Sequence, residues 1–153
     1  VEELKHIHAV YDLAKEQGDI TDSSYEALEK RWNDENTERS EKVEKGEVIY
    51  GLKEYTFQLY LDYEISTLKE KYCNDTNREG MKLTEDEIQE HYQSREWIFG
   101  DSDENADLEM ARIAVERELR EQKYDDMITQ RETDSQVAGN MENVNRITLK
   151  NIQ

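Results

Sequence analysis

The stretch "KLTEDEIQEHYQSREWIF", residues 82–99, decides the fold class because nearly every terminal position of a helix is filled in it. Thr84 stands where an N-cap hydroxyl accepts from the amide of Glu87, and the Glu87 carboxylate can reach back to the amide of Thr84, which together make a capping box. Leu83 and Ile88 have the spacing of a hydrophobic staple, and Glu85 and Asp86 place negative charge on the positive end of the helix dipole. Ile88, Tyr92, Arg95 and Phe99 recur at helical spacing, which predicts a helix that runs on toward Phe99 and needs a neighbour over that face.

The same signals recur on either side of this stretch. Val1, Leu4, Ile7, Tyr11 and Ala14 form a stripe that ends at Gly18, the residue expected just past a helix C-terminus. In "DITDSSYEALEKRW", residues 19–32, Thr21 or Ser23 can cap, with Ser23 and Glu26 as a second capping-box candidate. Tyr25, Leu28, Trp32 and Val43 follow one side as far as Gly46, but Asn33 to Lys42 contains no large apolar residue and predicts a half-helix facing solvent or a partner. A third helix opens near Thr56 with Phe57, Leu61, Ile65, Leu68 and Tyr72 on its stripe, widened by Tyr60 and Tyr63. A last long helix is predicted over 106–132, with Leu108, Ala111, Val115, Leu119, Met127 and Ile128 inward. Val144, Ile147 and Leu149 alternate in the tail, where a short strand or disorder are both open. The expectation is an all-α, irregular bundle of about five helices over residues 1–133, with a C-terminal tail over 134–153.

Composition agrees with helices and narrows the function. Of 153 residues none is Pro and six are Gly, and the 35% apolar content is set against 38% charged. Two Trp and nine Tyr argue for packing rather than disorder. Thirty-eight acidic against twenty basic residues give a formal charge of -18, which repels phosphate backbones and anionic headgroups, so nucleic acid is excluded as a partner. No apolar run approaches the roughly 20 residues of a membrane span. The chain opens on Val1, so an export signal or lipid anchor upstream of it is an expectation consistent with this start. The single Cys73 excludes an internal disulfide.

The sequence offers only incomplete matches to sites for chemistry. Asp101, Asp103, Asn105 and Asp107 follow the oxygen alternation of an EF-hand, but Ala106 replaces the turn glycine and Arg112 stands where the bidentate Glu belongs. The segment reads as an acidic loop leading into a helix. Only Glu3 and His6 have the interval of a di-metal bundle motif, and His6 and His8 point away from each other on one helix. Cys73, in an acidic neighbourhood that raises a thiol, reads as a bystander rather than a nucleophile. No phosphate-binding, dinucleotide-binding or nucleophile-elbow motif occurs. Neither a cofactor, a metal nor a catalytic residue is expected, and the chain is read as a non-enzyme.

The aromatic residues Trp32, Tyr50, Tyr55, Phe57, Tyr60, Tyr63, Tyr92 and Trp97 remain. They either fill a core poor in Leu and Val or line a groove whose amphipathic rings hold extended polypeptide with little sequence demand. Trp32, Tyr50, Tyr55, Phe57, Tyr60, Tyr63 and Trp97 are the candidate peptide-binding set.

"LTEDEIQEHYQS" at 83–94 followed by "DLEMARIAVERELREQKYDDMI" at 107–128 resembles the chaperone module of the SurA and PrsA group, secreted parvulin-type peptidyl-prolyl isomerases. Leu83, Thr84, Glu85, Glu87, Ile88 and Tyr92 match the signature of the helix that leaves that module. Ala111, Val115, Leu119, Gln122 and Lys123 resemble the helix that returns to it. The upstream "AKEQGDITDSSYEAL" and "EVIYGLKEYTFQLYLDYEISTLK" are similar to N-terminal helices of SurA-like proteins from Gram-positive bacteria. Between Phe99 and Leu108 there is room only for a loop, not for a parvulin domain of roughly ninety residues. The resemblance therefore implies a SurA N-terminal-like peptide-binding fold without isomerase activity, secreted or lipid-anchored at the cell surface, whose partners are unfolded or extended polypeptide clients. The rival expectation is a structural or assembly module that docks on one dedicated partner or on a second copy of itself as a homodimer.

Overall fold

A computed structural model describes residues 2–150, and side chains over 3–135. Among the described residues the architecture is all-helical: α1 (Glu2–Glu16), α2 (Tyr25–Glu44), α3 (Phe57–Asn74), α4 (Glu85–Gln93) and α5 (Leu108–Lys150), with no strand. The chain divides into two compact units, Val1–Leu68 and Lys69–Gln153, which are described in turn.

In the first unit α1 buries Ala9, Val10, Tyr11, Leu13 and Ala14. The predicted stripe holds at Tyr11 and Ala14 but not at its start, where Leu4 is exposed and Ile7 half-buried. Gly18 ends α1 as expected: at φ +74° it donates to Lys15 O at 3.0 Å, and Asp19 N reaches back to Ala14 O at 2.8 Å. The N-cap of α2 is Ser24, one residue past the predicted Ser23. Its hydroxyl accepts from Ala27 N at 3.3 Å while its own amide is held by Asp22 Oδ1 at 2.8 Å, so the Asp22 turn sets the register. α3 buries Tyr60, Leu61 and Leu68, with Phe57 and Ile65 half-buried on the same face.

One buried charge ties the three helices together. Glu64 on α3 is 8% exposed and accepts from Tyr11 Oη at 2.6 Å, Tyr60 Oη at 3.1 Å and the Arg31 guanidinium at 2.6 and 3.2 Å. Burial, with Glu64 as the next influence, pushes both phenols far above their ordinary range, so they stay donors. A buried carboxylate supplied with four donor contacts and a cation is a satisfied node rather than a reactive one.

In the second unit the capping box at Thr84 forms as read from the sequence, with Thr84 N to Glu87 Oε2 at 2.8 Å and Glu87 N to Thr84 Oγ1 at 3.3 Å. Ile88, Trp97, Ala111 and Val115 make a buried core between α4 and α5, with Leu83, Tyr92, Leu108 and Ala114 packed against it. Further along α5, Tyr124 and Ile128 are buried, and Tyr72 and Tyr124 meet at 5.4 Å between ring centroids. Met81, fully buried, is fixed through its carbonyl by Arg120 Nε at 3.0 Å. Burial pushes the Cys73 thiol up to about 11, so desolvation, more than the acidic neighbours expected to raise it, sets the shift.

Two expectations about helix ends are corrected. α4 stops at Gln93, so Arg95 and Phe99 leave the stripe they were placed on. The reason is that Ser94 Oγ takes the carbonyl of His91 at 2.6 Å and the Trp97 indole takes that of Tyr92 at 3.0 Å, which replaces helical amides and turns Trp97 into the core. α5 does not end near 132 but continues to Lys150, so the backbone of 134–150 is helical where a strand or disorder stood open. No Pro and a single Gly interrupt 108–150, and a helix already nucleated extends at little cost. The alternating Val144, Ile147 and Leu149 side chains, and residues 151–153, lie outside the described residues.

Candidate functional site

The predicted aromatic set is divided between the units. In the first, Trp32 meets Phe57 edge-on at 5.5 Å, and Tyr55 stacks on Tyr63 at 5.3 Å with ring planes 17° apart. Tyr60 touches both Tyr55 and Tyr63 but is itself buried. The backbone of Tyr55 is held from α2: Asn36 accepts from its amide at 2.8 Å and donates to its carbonyl at 2.9 Å, and Trp32 Nε1 donates to the same carbonyl at 2.7 Å. Arg39 lies 4.6 Å from the Tyr55 ring centroid and donates to the carbonyls of Tyr50 and Leu52 at 3.0 and 2.9 Å. The polar half of α2 is thus partly spent on clamping the segment before α3. Tyr50 itself is 87% exposed on that segment, beside exposed Val48. Tyr25 joins the cluster through Phe57 at 5.7 Å. A recess of about 460 Å³ lies over Trp32, Tyr55 and Phe57.

Trp97, the seventh predicted residue, sits in the second unit at the floor of a different feature. An open groove of about 490 Å³ runs between the extended segment after α4 and the outer face of α5. Its apolar lining is Trp97, Ile98, Phe99, Met110, Ile113 and Ala114. Ile98 is half exposed, Phe99 42%, Met110 71% and Ile113 85%. These four are not in the candidate set, although the sequence carries a signal for them. On α5, Ile113 lies two residues from both Ala111 and Val115, about 160° away from that inner stripe at 100° per residue. A large apolar residue opposite the buried face of an acidic helix has no core to enter.

Polar groups at the groove are organised around Glu118. Arg95 forks onto it, with Nε 3.1 Å from Oε1, and His91 Nε2 lies 3.2 Å from the same oxygen. The Arg95 guanidinium is also 3.7 Å from the Trp97 ring centroid. The Arg95 hydrogen bond holds the Glu118 carboxyl below its usual range. Arg117 and Glu121 face each other at 3.7 Å on the other rim. Beyond Phe99 the loop is closed at its base by Ala106 N to Trp97 O at 2.8 Å, with Trp97 N on Asn105 Oδ1 at 2.5 Å and Tyr92 Oη on Ala106 O at 2.9 Å. This arrangement offers shape, apolar surface and matched ion pairs, the properties of a binding groove rather than of a reaction centre. Among the described residues no group of three or more His, Cys, Asp or Glu side chains is placed to share a metal ion, and no helix is long and apolar enough to cross a membrane.

No family model and no solved structure matches the chain. A curated protein of Bifidobacterium longum subsp. longum, named as a chaperone for lacto-N-biosidase, is 30% identical over 131 residues, covering 86% of this chain and 47% of that protein. The chain spans about half the length of the curated relative it matches.

Proposed function

We propose that this chain is a non-catalytic, chaperone-type domain that holds a segment of client polypeptide in the apolar groove of its second unit. The observation that carries this reading is the exposure of Ile98, Phe99, Met110 and Ile113 along one groove of a protein with a formal charge of -18. Contiguous apolar surface of this kind marks an interaction site, and the surrounding charge keeps a protein that displays it soluble. Similarity to a protein named as a chaperone for one enzyme supports the reading, and favours a dedicated client over unfolded chains at large. The resemblance to SurA and PrsA modules supports its finer form, a SurA N-terminal-like domain acting outside the cytoplasm, secreted or lipid-anchored. The aromatic surface around Trp32, Tyr55, Phe57 and Tyr63 is a second place for client contact within the first unit.

The test is suppression of aggregation when a denatured client is diluted from urea, followed by light scattering. Two clients are compared, a lacto-N-biosidase and an unrelated unfolded protein. Ile113→Asp is the informative variant, because a side chain 85% exposed can be exchanged at a stability change within about 0.5 kcal/mol. Protection confined to the biosidase and lost in I113D is expected. Equal protection of both clients points to a general holdase, and no protection of either by the parent protein rejects the proposal.

A further inference from the structure

The groove is not electrically neutral in its surroundings, and its charge indicates what kind of segment fits. Its own two arginines are matched, Arg95 by Glu118 and Arg117 by Glu121. The segment that forms its other wall is not. From Glu96 to Asp107 there are five carboxylates and no Lys or Arg. Among the described residues none of these five takes part in an ion pair. Asp107 is used as a helix cap, accepting from Met110 N at 2.9 Å. Asp101, Asp103 and Glu104 are left at the tip of the loop that continues directly from Ile98 and Phe99, all three exposed. Because the loop base is closed on Trp97, that tip is tethered to the groove wall. Like charges held close together on an acidic protein repel one another, and a cationic segment relieves this while its apolar side chains fill the groove.

Resting on the chaperone reading above, we infer that the groove takes client segments in which apolar side chains are flanked by Lys or Arg, with Asp101, Asp103 and Glu104 receiving the basic flank. The α5 wall from Met110 to Glu121 is about 16 Å long, the length of roughly three helical turns.

The experiment uses the full chain and three labelled peptides of about twelve residues, whose extended core of about five residues spans that length, with one Leu- and Phe-containing core and flanks of Lys, Gln or Glu, read by fluorescence anisotropy. The Lys-flanked peptide is expected to bind tightest and the Glu-flanked one weakest. An exposed ion pair is worth about 1.4- to 5-fold in affinity, so D101N/D103N/E104Q lowers affinity for the Lys peptide by about tenfold and leaves the Gln peptide within twofold. Raising salt from about 50 to about 500 mM weakens the Lys peptide selectively. I113D weakens all three. Equal affinity across the flanks, a Lys preference that survives the triple variant, or binding by none of the peptides overturns the inference. The chaperone proposal fails separately, in the client-aggregation assay: protection lost in I113D together with no preference among flanks leaves that proposal standing and removes only this one.

Discussion

Replacing Trp97 by Ala tests whether the turn after α4 is built by this side chain. The indole is 2% exposed, donates to Tyr92 O at 3.0 Å and packs in the core with Ile88, Ala111 and Val115. Removing roughly 200 Å² of buried aromatic surface at about 25 cal/mol per Å² gives about 5 kcal/mol. Residual burial in the unfolded chain brings that to about 3–4 kcal/mol, and the abandoned Tyr92 carbonyl returns about 1 kcal/mol. The expected loss is about 4 kcal/mol, within the range for Trp→Ala in cores. Trp97→Phe retains most of the area and loses the indole donor, so about 1–2 kcal/mol is expected. Urea unfolding followed by far-UV circular dichroism measures both. A W97A loss below about 1 kcal/mol, or equal losses for the two variants, would refute the claim that this ring ends α4 and supports the groove floor.

Two other outcomes follow, one from each unit. The Glu87 carboxyl, hydrogen-bonded first by Lys123 and then by Thr84, is lowered from 4.5 to about 2, and a group depressed in the folded state stabilises above its unfolded value and loses that contribution as pH falls. Thermal melts should therefore decline between about pH 4.5 and about pH 2, and E87Q should flatten that part of the profile. Glu64→Ala strands Arg31 and two phenols; with a quarter of the Arg31 side chain exposed, about 3 kcal/mol is expected, at the lower end for a broken buried pair, and urea unfolding checks it.

Some helix ends governed by neighbours in sequence were legible in the chain, although the equally local Ser24 cap lies one residue past the expected Ser23. The Thr84 box and the Gly18 terminus depend on residues within one or two turns and appear where the pattern places them, and the inner stripe of α5 is buried at Ala111, Val115 and Ile128 and half-buried at Leu108, Leu119 and Met127. The end of α4 was not legible, because its last carbonyls are taken by Ser94 and by an indole that must first find a core. The aromatic residues could be counted but not assigned. Whether Tyr60 is a wall or a strut depends on Glu64 receiving Tyr11 and Arg31 from two other helices.

From the sequence alone the helices were readable, because a capping box and glycine terminators are local energies and apolar periodicity marks the face each helix must cover, whatever covers it. The groove was decided only by tertiary structure. Ile98 and Phe99 lie more than ten residues from Met110 and Ile113, and they line one surface because Trp97, drawn into the core between Ile88 and Val115, holds the segment after α4 alongside the outer face of α5.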